Sequence, residues 1–140
     1  MHAIRLRAAG CAVVVLCAGS GTPAHADDEM PLHRVTYTVT AELPGLAAVY
    51  YRDTDPPTWA DYSHNPYQFS PRDDIHLTPG TPWVRDAMLA DPDQWAMVTV
   101  TTAGQVPDDR QILRCQLAVD GVQVRQAEGP RGALCSLRHW

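Results

Sequence analysis

The sequence predicts an all-β domain, a two-sheet sandwich of about seven short strands. Three observations carry this. Runs of β-branched and aromatic residues alternate with polar ones at a period of two, most clearly at Val35, Tyr37 and Val39. Turn dipeptides separate the runs: Pro44-Gly45, Pro79-Gly80 and Asp120-Gly121. No stretch holds the helical period of about 3.6 residues for three turns.

The first strand is Arg34 to Glu42, with Val35, Tyr37, Val39 and Ala41 on one face and threonines on the other. After Pro44-Gly45 a second strand, Leu46 to Arg52, is apolar on both faces, which suits a central strand. Prolines at 56, 57, 66 and 71 keep the connection from Asp53 to Pro71 out of any long ladder. Asp74 to Leu77 reads as a short strand and Trp83 to Leu89 as another. Ala87 to Asp91 has room for one helical turn, which Pro92 would stop. Trp95 to Thr102 is a stronger strand, with Ala96, Val98 and Val100 facing one way. In Ile112 to Val119, Leu113, Cys115, Leu117 and Val119 share a face. Asp120-Gly121 is the signal for a two-residue type I′ turn, so Val122 to Arg125 is the return strand. Ala133 to Arg138 closes the domain, with Ala133, Cys135 and Leu137 on one face.

Residues Met1 to Ala26 read as a cleavable signal peptide. Arg5 and Arg7 supply the positive start, Ala8 to Gly19 is uncharged and rich in Ala, Val and Leu, and Ala24-His25-Ala26 offers small residues to the peptidase. Pro23 and the polar end of the run leave it short of the roughly 20 apolar residues that a spanning helix needs. No integral membrane segment is expected after cleavage. Cys11 and Cys17 do not sit where a lipidated cysteine would. The mature product would run from Asp27 to Trp140, with 27–32 a flexible start and 33–140 one sandwich domain.

That product has nine arginines against 16 acidic residues, a formal charge of −7, and the sequence has no lysine. Nucleic acid and anionic lipid surfaces require basic patches, so neither is expected as the main partner. Only Cys115 and Cys135 remain after cleavage. In an exported domain two cysteines read as one disulfide; two buried thiols or a metal pair are the alternatives. Their spacing is too wide for a Cys-x-x-Cys site and no histidine falls close in a ligand pattern. Closing a loop of about 20 residues contributes roughly 3 kcal/mol in the chain-entropy model.

Several anchors, taken in order, resemble the mycobacterial MmpS family of small envelope proteins. They are Val35-Thr36-Tyr37-Thr38-Val39, Pro44-Gly45, Ala48-Val49-Tyr50-Tyr51 and Thr81-Pro82-Trp83. The most specific is Cys115-Gln116-Leu117-Ala118-Val119-Asp120-Gly121-Val122 with Ala133-Leu134-Cys135-Ser136-Leu137. The resemblance implies a small immunoglobulin-like β-sandwich in the periplasm or cell wall. It also implies a role beside MmpL-type transporters, of the resistance-nodulation-division class, that export lipids or siderophores. Two features depart from the family: the cleavable N-terminus, where the family keeps an anchor, and the insertion 52–72.

That insertion is the most unusual part of the chain. Tyr51, Trp59, Tyr62, Tyr67 and Phe69 cluster among prolines that stiffen the backbone. Rigid rings with polar tips are what binding surfaces use, so these five are the candidate binding residues. The alternative is a self-packed loop whose rings cover the open end of the sandwich. The acidic pairs Asp53 and Asp55, Asp73 and Asp74, and Asp91 and Asp93 lack EF-hand spacing and read as turn and cap residues. His33, His64, His76 and His139 are scattered, and no catalytic, phosphate-binding or metal motif is present. No cofactor or metal is expected. The sequence therefore reads as a non-enzymatic exported accessory or binding protein that contacts an envelope transporter or a cell-wall lipid. The alternative is a freely secreted protein that binds a small ligand or host component through the aromatic loop.

Overall fold

A computed structural model describes residues 29–104 and 108–139. The expected signal peptide, with Cys11 and Cys17, lies outside the described residues. Residues 29–32 precede the first strand without regular structure.

Among the described residues eight strands form two four-stranded antiparallel sheets. They are β1 (His33–Ala41), β2 (Gly45–Tyr51), β3 (Arg72–Leu77), β4 (Trp83–Leu89), β5 (Met97–Thr101), β6 (Leu113–Val119), β7 (Val122–Gly129) and β8 (Gly132–Ser136). One sheet has the order β4-β1-β6-β7 and the other β3-β2-β5-β8. Only β2–β3 and β6–β7 connect neighbours within a sheet; the other five connections pass to the opposite sheet.

The expected core faces are the observed ones. Val35, Tyr37, Val39 and Ala41 of β1 are buried, as are Ala96, Val98 and Val100 around β5 and Leu113, Cys115 and Leu117 of β6. Burying alternate side chains from both sheets is what stabilises a sandwich. β2 lies inside its sheet, with Ala47, Ala48 and Val49 buried, as its two apolar faces suggested. The turn between β6 and β7 has positive φ at both Asp120 (49°) and Gly121 (83°), as a type I′ turn requires. The Asp120 carboxylate pairs with His33 at 2.7 Å and accepts from the Arg34 backbone N–H at 3.0 Å, and these two bonds hold it below the usual carboxylate range. Gly132 sits so close to β5 that a Cβ there would lie 2.5 Å from the Val100 carbonyl oxygen.

Cys115 of β6 and Cys135 of β8 are bonded, with Cα atoms 6.0 Å apart. The bond joins one sheet to the other through the core, and excludes the free-thiol and metal-pair alternatives.

Three expectations need correction. The helical turn expected within Ala87 to Asp91 does not form, because β4 runs to Leu89; the turn comes after it, at α3 (Pro92–Trp95). Proline fits the first helical position, where its missing N–H is not needed, and Asp91 caps the turn by accepting from the Gln94 N–H at 3.1 Å. Trp95 therefore ends a helix instead of starting β5. Finally, β7 continues past Arg125 to Gly129, because β6 offers it partners as far as Leu113 beyond a register shift at Leu117/Ala118. The insertion also holds two unforeseen helices, α1 (Trp59–His64) and α2 (Pro66–Phe69).

Candidate functional site

The insertion begins with Arg52, the residue after β2. Its backbone N–H donates to the Met97 carbonyl at 2.9 Å, fixing the chain against the start of β5. Its side chain is fully buried. Nε donates to the Trp95 carbonyl (3.2 Å) and Nη1 to Ser70 Oγ (2.8 Å). The guanidinium lies over the rings of Tyr62 and Trp95, at 4.4 and 5.5 Å from their centroids. No carboxylate forms an ion pair with it among the described residues, and Nη2 has no hydrogen-bond acceptor there. A weakly hydrated, planar cation tolerates this because ring faces attract it. Tyr37 Oη donates to the Arg52 carbonyl at 2.8 Å, so the same residue is tied to β1. Burial pushes the Tyr37 phenol far above its ordinary range.

Local chemistry explains the two helices. Thr58 caps α1 by accepting from the Asp61 N–H at 3.1 Å. Pro66 starts α2, where its fixed φ suits the first turn. Helices this short are held by packing rather than by their own hydrogen bonds. Trp59 stacks on Trp95 with centroids 5.8 Å apart and planes 20° apart, while Tyr62 meets Trp95 edge-on at 5.6 Å. Arg138 covers Trp59 at 4.1 Å.

The result is a groove of about 410 Å³ on the outer face of the β3-β2-β5-β8 sheet. Tyr50, Tyr62, Pro66, Tyr67, Ser70, Met97 and Thr99 line it. Tyr67 is 72% exposed, and its ring stands 6.2 Å from that of Tyr50. Among the described residues no charged side chain lines the groove, but two guanidinium groups act on it from outside. Ser70 Oγ accepts from Arg52, and Tyr50 Oη accepts from Arg72 Nη1 at 3.2 Å. Arg72 is itself held by Asp74 at 2.7 Å. A smaller cavity, about 90 Å³, lies at the other end of β2, beside Pro44, Gly45 and Gln111.

The five candidate residues separate into two groups. Tyr62 and Tyr67 line the groove and Trp59 lies beside Tyr62 at 5.3 Å. Tyr51 and Phe69 turn inward. Tyr51 packs against Tyr37 (6.0 Å) and Trp83 (5.4 Å), and burial, then the Asp73 charge, raise its pKa. Phe69 is 7% exposed. The rings are thus not all surplus to the fold: Tyr51 packs against the core and Phe69 is buried, while Tyr67 faces out.

Tyr50, Met97, Thr99 and Ser70 were not among the candidates. Strand alternation carried the signal for the first three, because buried Val49 and Val98 send their neighbours to the outer face. The acidic pairs have structural partners. Asp55 accepts from the Ala90 and Asp91 N–H groups (2.8 and 3.0 Å), Asp73 holds Arg85 (3.2 Å), and Asp91 caps α3. No cluster of three or more potential metal ligands occurs among the described residues, and no helix there is long and apolar enough to cross a membrane.

A family model described as the Rv2576c beta-sandwich domain matches residues 37–135. The uncharacterized protein Rv2576c of Mycobacterium tuberculosis (strain H37Rv) is 34% identical over 108 residues, 77% of this chain and 68% of the relative. The uncharacterized protein Mb2606c of Mycobacterium bovis is similar to the same extent, at 34% over 108 residues, 77% of this chain and 68% of its own length.

Proposed function

The chain belongs to the Rv2576c beta-sandwich domain family, and from that premise we propose that it is a non-enzymatic binding or accessory module of a mycobacterial envelope, working through the aromatic groove. One observation carries the reading: Tyr67 is 72% exposed on a buttressed segment, next to a groove built from rings and hydroxyls. A partner that covered this ring would take its apolar face out of water while its hydroxyl stayed at the rim. The signal-peptide pattern of Met1 to Ala26 supports export. The MmpS-like Cys115 and Cys135 frame supports a place beside a transporter that exports lipids or siderophores, with the transporter or a cell-wall lipid as partner.

Fractionation of a mycobacterium expressing the tagged protein tests this. Wild type should stay with the envelope, and Tyr67→Ala should shift to the medium with an unchanged melting temperature. Equal retention of the variant would remove the groove from the binding role. Release of the wild type into the culture medium would favour the freely secreted ligand-binding reading instead.

A further inference from the structure

We propose that the groove takes a proline-rich segment of a partner protein in the extended polyproline II conformation; this rests on the groove's being a binding site, as argued above. The argument starts from two hydroxyls. Ser70 is 5% exposed and lines the groove, and its oxygen accepts from the Arg52 guanidinium at 2.8 Å. Tyr50 Oη accepts from Arg72 at 3.2 Å. Each oxygen is committed to a cation, so each proton must point away from it. Neither hydroxyl donates to a protein acceptor among the described residues. Both are therefore polarised donors, and the buried charge of Arg52 strengthens the one at the floor.

Between them stand ring faces. Tyr50 and Tyr67 form a tilted pair, 6.2 Å between centroids and 46° between planes, so the apolar wall they make is ridged rather than flat. The matching ligand is apolar, rigid, rich in acceptors and poor in donors. A polyproline helix has those properties together: each proline offers a carbonyl and no N–H, its ring is apolar, and the chain is already extended before it binds. Aromatic grooves recognise such segments for that reason. A neutral oligosaccharide fits less well, because it brings as many hydroxyl donors as acceptors.

The test uses the folded, disulfide-bonded domain and two probes, decaproline and maltotriose, titrated by two-dimensional NMR. Decaproline should bind saturably and shift resonances of Tyr50, Tyr67 and Thr99. Tyr67→Ala should weaken it by about tenfold or more, and Tyr50→Phe, which deletes a donor and keeps the ring, by several-fold. No saturation by decaproline, or an affinity that both variants leave unchanged, would overturn the proposal; so would maltotriose binding the groove in place of decaproline. If decaproline fails while envelope retention still depends on Tyr67, the binding reading stands and the proline-rich ligand falls.

Discussion

A guanidinium without a carboxylate beside it is costly to bury, yet Arg52 is fully enclosed. Its site repays this with two donated hydrogen bonds and two ring faces. Arg52→Ala would leave a void and release Ser70 and the Trp95 carbonyl together. It should cost at least about 3 kcal/mol in urea unfolding, and Arg52→Met, which refills part of the space, should cost less. Tyr37 makes the stability sensitive to alkali. Its proton is held tightly in the folded state, whereas the unfolded chain releases it near its ordinary pKa of about 10. The contribution is complete below that pH. Above it the unfolded state sheds protons first, and stability falls by up to about 1.4 kcal/mol per pH unit from this group. Tyr37→Phe should cost about 1 kcal/mol at neutral pH, because the Arg52 carbonyl loses its donor, and should flatten the alkaline slope in melts run between about pH 9 and 11.

At the scale of the element, the insertion divides between support and display. Tyr62 packs against Trp95 and under the Arg52 charge, while Tyr67 faces water. Thermal melts should therefore separate them: Tyr62→Ser should destabilise by about 2 kcal/mol or more, and Tyr67→Ser by no more than about 0.5 kcal/mol. The strands were readable because the pleat imposes a period of two on every half-buried run, and β1, β5 and β6 obey it. The turn at Asp120-Gly121 was readable because only a few residue types accept two positive φ values in succession. Helices α1 and α2, of six and four residues, are shorter than the window in which a helical period can show. The groove was half legible. Its tyrosines announce themselves by composition, but Met97, Thr99 and Ser70 join them only when β5 and the insertion meet. Nothing in the local sequence marks Arg52 for burial, since arginine on general grounds belongs outside.

For the molecule as a whole the two outer faces differ in kind. The β4-β1-β6-β7 sheet presents threonines and ion pairs, among them Arg34 with Asp86 at 2.6 Å and Arg114 with Glu42 at 2.6 Å. The other sheet carries the groove. Between them the Cys115–Cys135 bond holds the layers together. Cys135→Ser should cost roughly 2–5 kcal/mol in equilibrium unfolding, a large share of the roughly 5–15 kcal/mol of an ordinary domain. The path of the chain has a further consequence, in time rather than energy. Because five of the seven connections cross between sheets, most strand pairs join residues distant in sequence, as Val39 meets Cys115. Loop entropy must then be lost before those contacts form, and folding is expected on the slow scale of milliseconds to seconds. The β6–β7 hairpin, with its two-residue turn, can form alone in about 1–10 μs. It is the natural seed around which β1 and then β4 assemble. Gly121→Val, which strains the turn at φ 83°, should accordingly slow refolding in stopped-flow traces far more than it speeds unfolding.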